Sequence, residues 1–310
     1  KDIYRTPTSF QPDWNDFVSA GSGENSRRQT DAGPPGLVTK GFSEGVLVVF
    51  QQEWAVCSSQ SFDLIGSEDA TTCHIVGLRD AQTGYTGLAH LDHPSTVTSC
   101  LEAMVRRLTE LMEQDTTQTK NTDSRSLDLF LVGGFDEELS QEMSHTIVGY
   151  FVDHPLIFSL RLACISRLNS TVGPGGVSFP VHRSLGINTA DGTVFPPVFS
   201  RDTPVPCHSL RAARIWGEGN DHSMVELYDE QNSCLCIVPF EYRVQDFFGI
   251  ILSLPDEVVL QYTSTSPLVE GPYFVEDLKK TLKFMIDNPD MSSVFPDFKP
   301  VKIKRWVREK

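Results

Sequence analysis

The stretch from Gly66 to His90, GSEDATTCHIVGLRDAQTGYTGLAH, constrains the fold more than any other part of the chain. Cys73, Ile75 and Gly77 alternate with His74, Val76 and Leu78, the pattern of a mostly buried strand. Asp80 to Gly84 (DAQTG) is turn chemistry, and Tyr85 to His90 reads as the returning strand. Such a hairpin sets Cys73 at the start of one strand and His90 at the end of the other. Antiparallel pairing is then expected to lay the two across from each other.

The segments around this hairpin read mostly as strands. Val46–Phe50, Trp54–Cys57 and Phe62–Ile65 are expected ahead of it. After it, Leu101, Met104, Val105, Leu108, Leu111 and Met112 carry helical spacing within Val97–Gln114. A polar loop precedes a strand at Leu127–Val132, and a second helix is expected over Leu139–Val152. Strands are expected at Ile157–Ile165, at Phe179–Ile187 with Thr193–Phe199, at Met224–Tyr228 with Cys234–Val238, and at Val258–Tyr262. A third helix, Pro272–Asp287, begins with an early proline, which a helix start tolerates. The sum is an α+β chain with three helices packed over a β-sandwich. Residues 1–36 are rich in Ser, Gly, Asn, Gln and Pro and are expected to be disordered, leaving residues 37–310 as a single domain.

Composition narrows the function classes. A net charge of −15 argues against a nucleic-acid partner, which needs clustered Lys and Arg. The locally basic tail, Lys299–Lys310, reads as a solvated end or a strand edge. No apolar run approaches the ~20 residues that span a bilayer, so no membrane partner is expected. The opening residues carry no apolar leader core, so no secretory signal is expected in them. Seven scattered cysteines do not resemble a disulfide scaffold and suit free thiols in a reducing compartment.

Cys73 and His90 form the first candidate constellation. A free thiol is mostly protonated at neutral pH, and a neighbouring imidazole can make it nucleophilic. Spacing alone also fits a structural cysteine beside an ordinary histidine. Ser67 could steady the imidazole through its far nitrogen, or be a plain turn serine after Gly66. Glu68 and Asp69 suit either a substrate cation or turn chemistry. Thr71 and Thr72 either pack or offer hydroxyls. His90-Leu91-Asp92-His93 raises a zinc site, but two histidines three apart at a strand end diverge, and no Cys-x-x-Cys accompanies them, so no metal is expected. Cys234 and Cys236 share a face and read as packing. Leu131-Val132-Gly133-Gly134-Phe135 matches neither dinucleotide nor phosphate-loop fingerprints. Thr263–Pro267 reads as a capping loop or a pocket rim.

Ser67-Glu68-Asp69-Ala70-Thr71-Thr72-Cys73-His74-Ile75-Val76 resembles the active-site segment of the eukaryotic protein N-terminal asparagine amidohydrolases. Gln51-Gln52-Glu53 with Ala55-Val56, Leu131–Phe135, Leu210-Arg211-Ala212-Ala213-Arg214, and Ser264–Leu268 with Phe274-Val275-Glu276 are similar to other segments of that family. The resemblance runs from about Gly45 to about Pro289, and the long polar N-terminal segment departs from it. It implies deamidation of an N-terminal Asn to Asp, feeding the arginine branch of the N-degron pathway in cytosol and nucleus. It implies Cys73 as nucleophile and no cofactor. The spacing to His90 is also similar to that of bacterial chemoreceptor glutamine deamidases and cytotoxic necrotizing factor toxins. Those imply a three-layer α/β/β sandwich, a Cys–His pair, and an oxygen at the Ser67 position that orients the histidine.

On this reading the partners are proteins or peptides that begin with Asn. Their free α-amine calls for a carboxylate, with Asp69, Glu68 and Asp92 as candidates in that order and Thr72 as a further substrate-binding candidate. A module that grips N-termini without turnover, or a thiol protease of another fold, are the alternatives.

Overall fold

The computed structural model describes residues 45–115, 126–199, 207–217 and 220–304. The strands, in chain order, are β1 (Val46–Val48), β2 (Glu53–Cys57), β3 (Leu64–Ala70), β4 (His74–Asp80), β5 (Thr86–Leu91), β6 (Ser126–Gly133), β7 (Ile157–Ile165), β8 (Ser170–Val172), β9 (Ser178–Pro180), β10 (Arg183–Asn188), β11 (Val194–Phe195), β12 (Val225–Glu226), β13 (Tyr228–Asp229), β14 (Cys234–Ile237) and β15 (Val301–Lys304). The α-helices are α1 (Pro94–Asp115), α2 (Glu138–Asp153), α3 (His208–Ala213), α4 (Asp246–Ser253), α5 (Asp256–Thr263) and α6 (Phe274–Asp287).

Two sheets carry the site. The larger has the order β12-β2-β5-β4-β6-β7, and the smaller β1-β3-β10-β11. Pairing is mostly antiparallel; β1–β3, β2–β12 and β6–β7 are parallel. Alternation along each strand splits the side chains between two cores. On β4, Ile75 faces the smaller sheet, packing with Leu47, Ile65, Leu88, Val132 and Ile187. Its neighbours Val76 and Leu78 face the helices, packing with Leu101, Met104, Leu108 and Ile147 of α1 and α2. The layers are therefore helices, six-stranded sheet, four-stranded sheet: an α+β three-layer sandwich. Because both faces of the central sheet are covered, every residue of β4 and β5 is buried.

A third cluster joins α3, α4 and α6 to the small sheet β13-β14-β15 through Leu210, Ile237, Phe248, Leu282 and Met285. The basic tail contributes β15, which pairs with β14 and turns Lys302 and Lys304 outward, as solvent-facing edge strands commonly do.

Several local expectations are corrected. Val258–Tyr262 is not a strand but lies in α5. Pro255 fixes the backbone just ahead of it, Asp256 and Glu257 complement the dipole of its first turn, and Val259 is its buried residue. α3 and α4 were not foreseen, so the described residues hold more helices than the periodicity suggests. Met224–Tyr228 does not form one arm of a simple hairpin: β12 joins β2 in the large sheet, and the following β13 pairs with β14. The expected disordered segment, residues 1–36, lies outside the described residues.

Candidate active site

The hairpin β4–β5 forms in the register Ile75↔His90 and His74↔Leu91. Cys73 and Asp92 are the next residues beyond that last pair. Cys73 is thus diagonal to His90 rather than directly across from it, because β4 starts one residue later and β5 ends one residue later than the sequence suggested. The side-chain period of two still puts Cys73, Ile75 and His90 on one face, the face toward the smaller sheet. Cys73 is half-buried there against the inter-sheet core.

From the opposite sheet, Ser67 reaches across the gap. It shares a face of β3 with Ile65, is completely buried, and hydrogen-bonds His90 Nδ1 through its Oγ at 2.7 Å. Ser67 is therefore a strand residue, paired with Leu185 of β10, and not a turn serine. The other ring nitrogen of His90, Nε2, is buried and has no hydrogen-bond partner among the described residues.

His74 points the other way. Its Nε2 bonds Ser144 Oγ on α2 at 2.7 Å, so it pins the helix layer to β4. The glycines of the Leu131–Phe135 segment follow from this crowding. Gly133 and Gly134 have φ of +98° and +61°, a region that favours glycine. A side chain on Gly133 would strike the Cys73 carbonyl, and one on Gly134 the His74 ring. Gly134 N–H donates to the Cys73 carbonyl at 2.7 Å, fixing the backbone that presents the thiol.

Electrostatics keep the pair neutral at rest. Burial pushes the Cys73 thiol up to about 12, with the charges of Asp92 and Glu270 adding to it and a hydrogen bond from Thr72 opposing. Burial pushes His90 down to about 4 against the pull of Asp92, Asp69 and Glu53. The imidazole is thus a neutral free base near neutral pH.

A cavity of about 660 Å³ opens beside His90. Phe50, Phe199, Pro197 and Tyr273 give it apolar walls, while Gln51, Glu68, Asp69 and His182 supply polar edges. That volume suits a short peptide end. The acidic candidates differ sharply in situation. Asp69 is more than half exposed, at φ +62°, and its Oδ1 bonds His182 Nε2 at 2.8 Å. Burial works against a charge on His182, but Asp69, with Glu270 and Glu68, outweighs it and raises the pKa. Glu68 Oε2 accepts from the Phe199 N–H at 3.3 Å. Asp92 is nearly buried and receives Gln51 Nε2, Gln52 Nε2 and His222 Nδ1 at 3.0, 2.7 and 3.2 Å. Thr72 offers its carbonyl to Ser140 Oγ at 3.0 Å.

Sequence reasoning did not assign roles to His182, His222, Gln52 or Glu270, although Gln52 lay within a segment of family resemblance. Glu270 follows the Thr263–Pro267 loop, and Ser264 donates to its carboxylate, so that loop edges the site. His90 and His93 diverge: His93 stacks on His222 with ring centroids 4.4 Å apart. No group of three or more His, Cys, Asp or Glu side chains converges as a metal site among the described residues. No helix among them is long and apolar enough to cross a membrane.

The family model described as protein N-terminal asparagine amidohydrolase matches residues 38–309. Curated proteins of that name are similar to this chain. The one from Sus scrofa is 31% identical over 267 residues, covering 84% of this chain and 81% of its own. The one from Homo sapiens is 32% identical over 250 residues, covering 79% and 76%. The one from Arabidopsis thaliana is 26% identical over 282 residues, covering 84% and 78%. With a family model matched over residues 38–309 and a curated relative of that name 31% identical across 84% of the chain, this chain belongs to the protein N-terminal asparagine amidohydrolase family.

Proposed function

We propose that this chain is a cysteine-dependent amidohydrolase that converts the N-terminal Asn of proteins or peptides to Asp with release of ammonia. The observation that carries the reading is the Ser67–His90 bond, which leaves Nε2 without a partner on the sheet face that also bears Cys73. In the working tautomer Nδ1–H donates to Ser67 and Nε2 accepts.

The Cys73 sulfur attacks the side-chain amide carbon while its proton passes to His90 Nε2. A C–S bond forms and the carbonyl π pair moves to oxygen. Backbone N–H groups around Cys73 are the proposed donors to that oxyanion, and one such donor can be worth ~3 kcal/mol. As the tetrahedral centre collapses, the C–N bond breaks and the imidazolium protonates the departing ammonia. Water, deprotonated by the same nitrogen, then adds to the thioester carbon; the C–S bond breaks, the imidazolium returns its proton to sulfur, and the Asp side chain is released as the acid, which ionises. Apart from substrate and water, the reacting groups in this sequence come from the chain, so it is written without a cofactor. Selection of an N-terminal residue requires that a carboxylate meet the free α-amine, because an internal Asn would leave that carboxylate unpaired. A Gln substrate shifts the reacting carbon by one methylene, and a misplacement of about an ångström can lower the rate ~10²-fold.

The reading includes a place in the arginine branch of the N-degron pathway, which takes up N-terminal Asp, in cytosol and nucleus. The seven cysteines, all free thiols, suit a reducing compartment.

The test is product analysis with an Asn-initiated peptide. Deamidation gives one equivalent of ammonia and an Asp-initiated product of otherwise unchanged length. Backbone cleavage would instead mark a thiol protease, and binding without ammonia release an N-terminal recognition module.

A further inference from the structure

Gln52 is unusual on three counts. It has φ +63°, a left-handed backbone that a side-chain-bearing residue adopts at a cost. It is 1% exposed. Its amide oxygen Oε1 is buried with no hydrogen-bond partner among the described residues. The amide orientation is fixed, because Nε2 donates to the Asp92 carboxylate. Asp92 shows the same pattern: Oδ2 collects donors from Gln51, Gln52 and His222, while Oδ1 is buried without one. Buried acceptors are normally satisfied, so two in want of donors, on side chains that bond each other through Gln52 Nε2 and Asp92 Oδ2, point to a ligand that brings them.

Both lie beside the reacting groups. The Gln52 N–H donates to the His90 carbonyl at 3.0 Å, and Asp92 is the residue beyond the β4–β5 pair that Cys73 adjoins. The turn is held rigidly. Arg211 bonds Glu53 through Nε and Nη2 at 2.9 and 2.5 Å, donates to the Val48 carbonyl at 2.7 Å, and lies 4.1 Å from the Phe50 ring centroid. Glu53 in turn accepts the Phe50 N–H at 2.9 Å. This buried clamp ties the Arg211 segment to the residues on either side of Gln52.

We infer that Gln52 Oε1 and Asp92 Oδ1 form the seat for the substrate's α-ammonium, and that filling this seat arms Cys73. This rests on the deamidase reading above. An ammonium offers several N–H donors and a full positive charge, the complement of an amide oxygen beside a carboxylate. In an N-terminal Asn only Cα and Cβ separate that amine from the reacting carbon, so a seat next to Cys73 reaches it. Asp69 and Glu68 are already engaged by His182 and the Phe199 N–H. The arming follows from charge. Burial is the main opposition to a Cys73 thiolate and the charge of Asp92 adds to it; an ammonium bound to Asp92 cancels that added part. A chain that bears Asn internally brings no such charge and meets an unarmed thiol.

The experiment compares an Asn-initiated peptide with its succinamoyl analogue, the same chain with hydrogen in place of the α-amine. Ammonia release is measured with wild type, Asp92→Asn and Gln52→Met, alongside the rate of Cys73 alkylation by iodoacetamide in the free proteins. Wild type should favour the amine-bearing peptide, with kcat as well as KM affected. Both variants should shrink that preference, roughly 10- to 100-fold for a charge-assisted contact. Asp92→Asn should in addition speed Cys73 alkylation and raise kcat on the succinamoyl peptide, a gain that mere structural damage does not produce. The inference is overturned if each variant lowers both substrates alike and keeps the wild-type preference, or if Asp92→Asn leaves Cys73 alkylation unchanged. Absence of ammonia release from the Asn peptide by wild type would instead overturn the deamidase reading beneath it.

Discussion

At the scale of single residues, Ser67→Ala is the informative change. It removes the hydroxyl that bonds His90 Nδ1 and leaves that nitrogen buried without it. Rotation or tautomer change of the ring should then lower kcat roughly 10- to 100-fold while KM moves little, as for a group that orients a base. Steady-state kinetics of ammonia release check this, and a KM effect without a kcat effect would speak against the orienting role. The hairpin that carries His90 and leads in from Cys73 was legible in the alternation on either side of the DAQTG turn. Ser67 was half-legible: Gly-Ser looks like a turn, and only the pairing of β3 with β10 makes it a strand residue facing another sheet. Gln52 carried no chemical signal at all. Its orphaned oxygen and left-handed backbone exist only once β2, β5 and the residues around Arg211 are assembled.

The elements that hold the site should fail in a graded way. Arg211→Met leaves the Glu53 carboxylate buried, with its two guanidinium bonds gone. Loss of one partner of a buried ion pair typically costs ~3–5 kcal/mol, so the urea midpoint should fall markedly. A fall of under ~1 kcal/mol would mean that water reaches Glu53. Element boundaries were read best where burial is two-sided or strictly periodic. Ile157–Ile165 was read to the residue, and α1, α2 and α6 to within a few. The failures have a common cause. Val258–Tyr262 holds adjacent β-branched residues and looks like a strand, but its register is decided by packing of α5 against α6, which local propensity does not encode. α4 likewise hides its helical period, because Phe247 and Ile250 are exposed apolar residues while Phe248 is buried.

For the molecule as a whole, two buried neutral imidazoles set an acid limit. His90 and His74 are pushed down to about 4 and about 3, mainly by burial. Their folded values lie below the unfolded one, so the unfolded chain binds more protons as pH falls. The stability they confer is complete above about 6.5 and drains away as pH drops toward 4, by roughly 2–3 kcal/mol per imidazole at mildly acidic pH. Melting temperature measured from pH 7 to pH 4.5 should fall, and a flat profile would contradict the burial of these rings. Helices over a β-sandwich were legible at this scale from the run of strands and the change to helical period, while the three-layer α/β/β order was what the family resemblance implied. What was not legible is how the two sheets meet, and the candidate site sits in that gap. That the Cys73 sulfur is the attacking atom is tested most directly by ammonia release from an Asn-initiated peptide with wild type and with a folded Cys73→Ala variant. Wild type should release ammonia with formation of the Asp-initiated peptide, and the variant should release none above background; turnover by Cys73→Ala at the wild-type rate would contradict it.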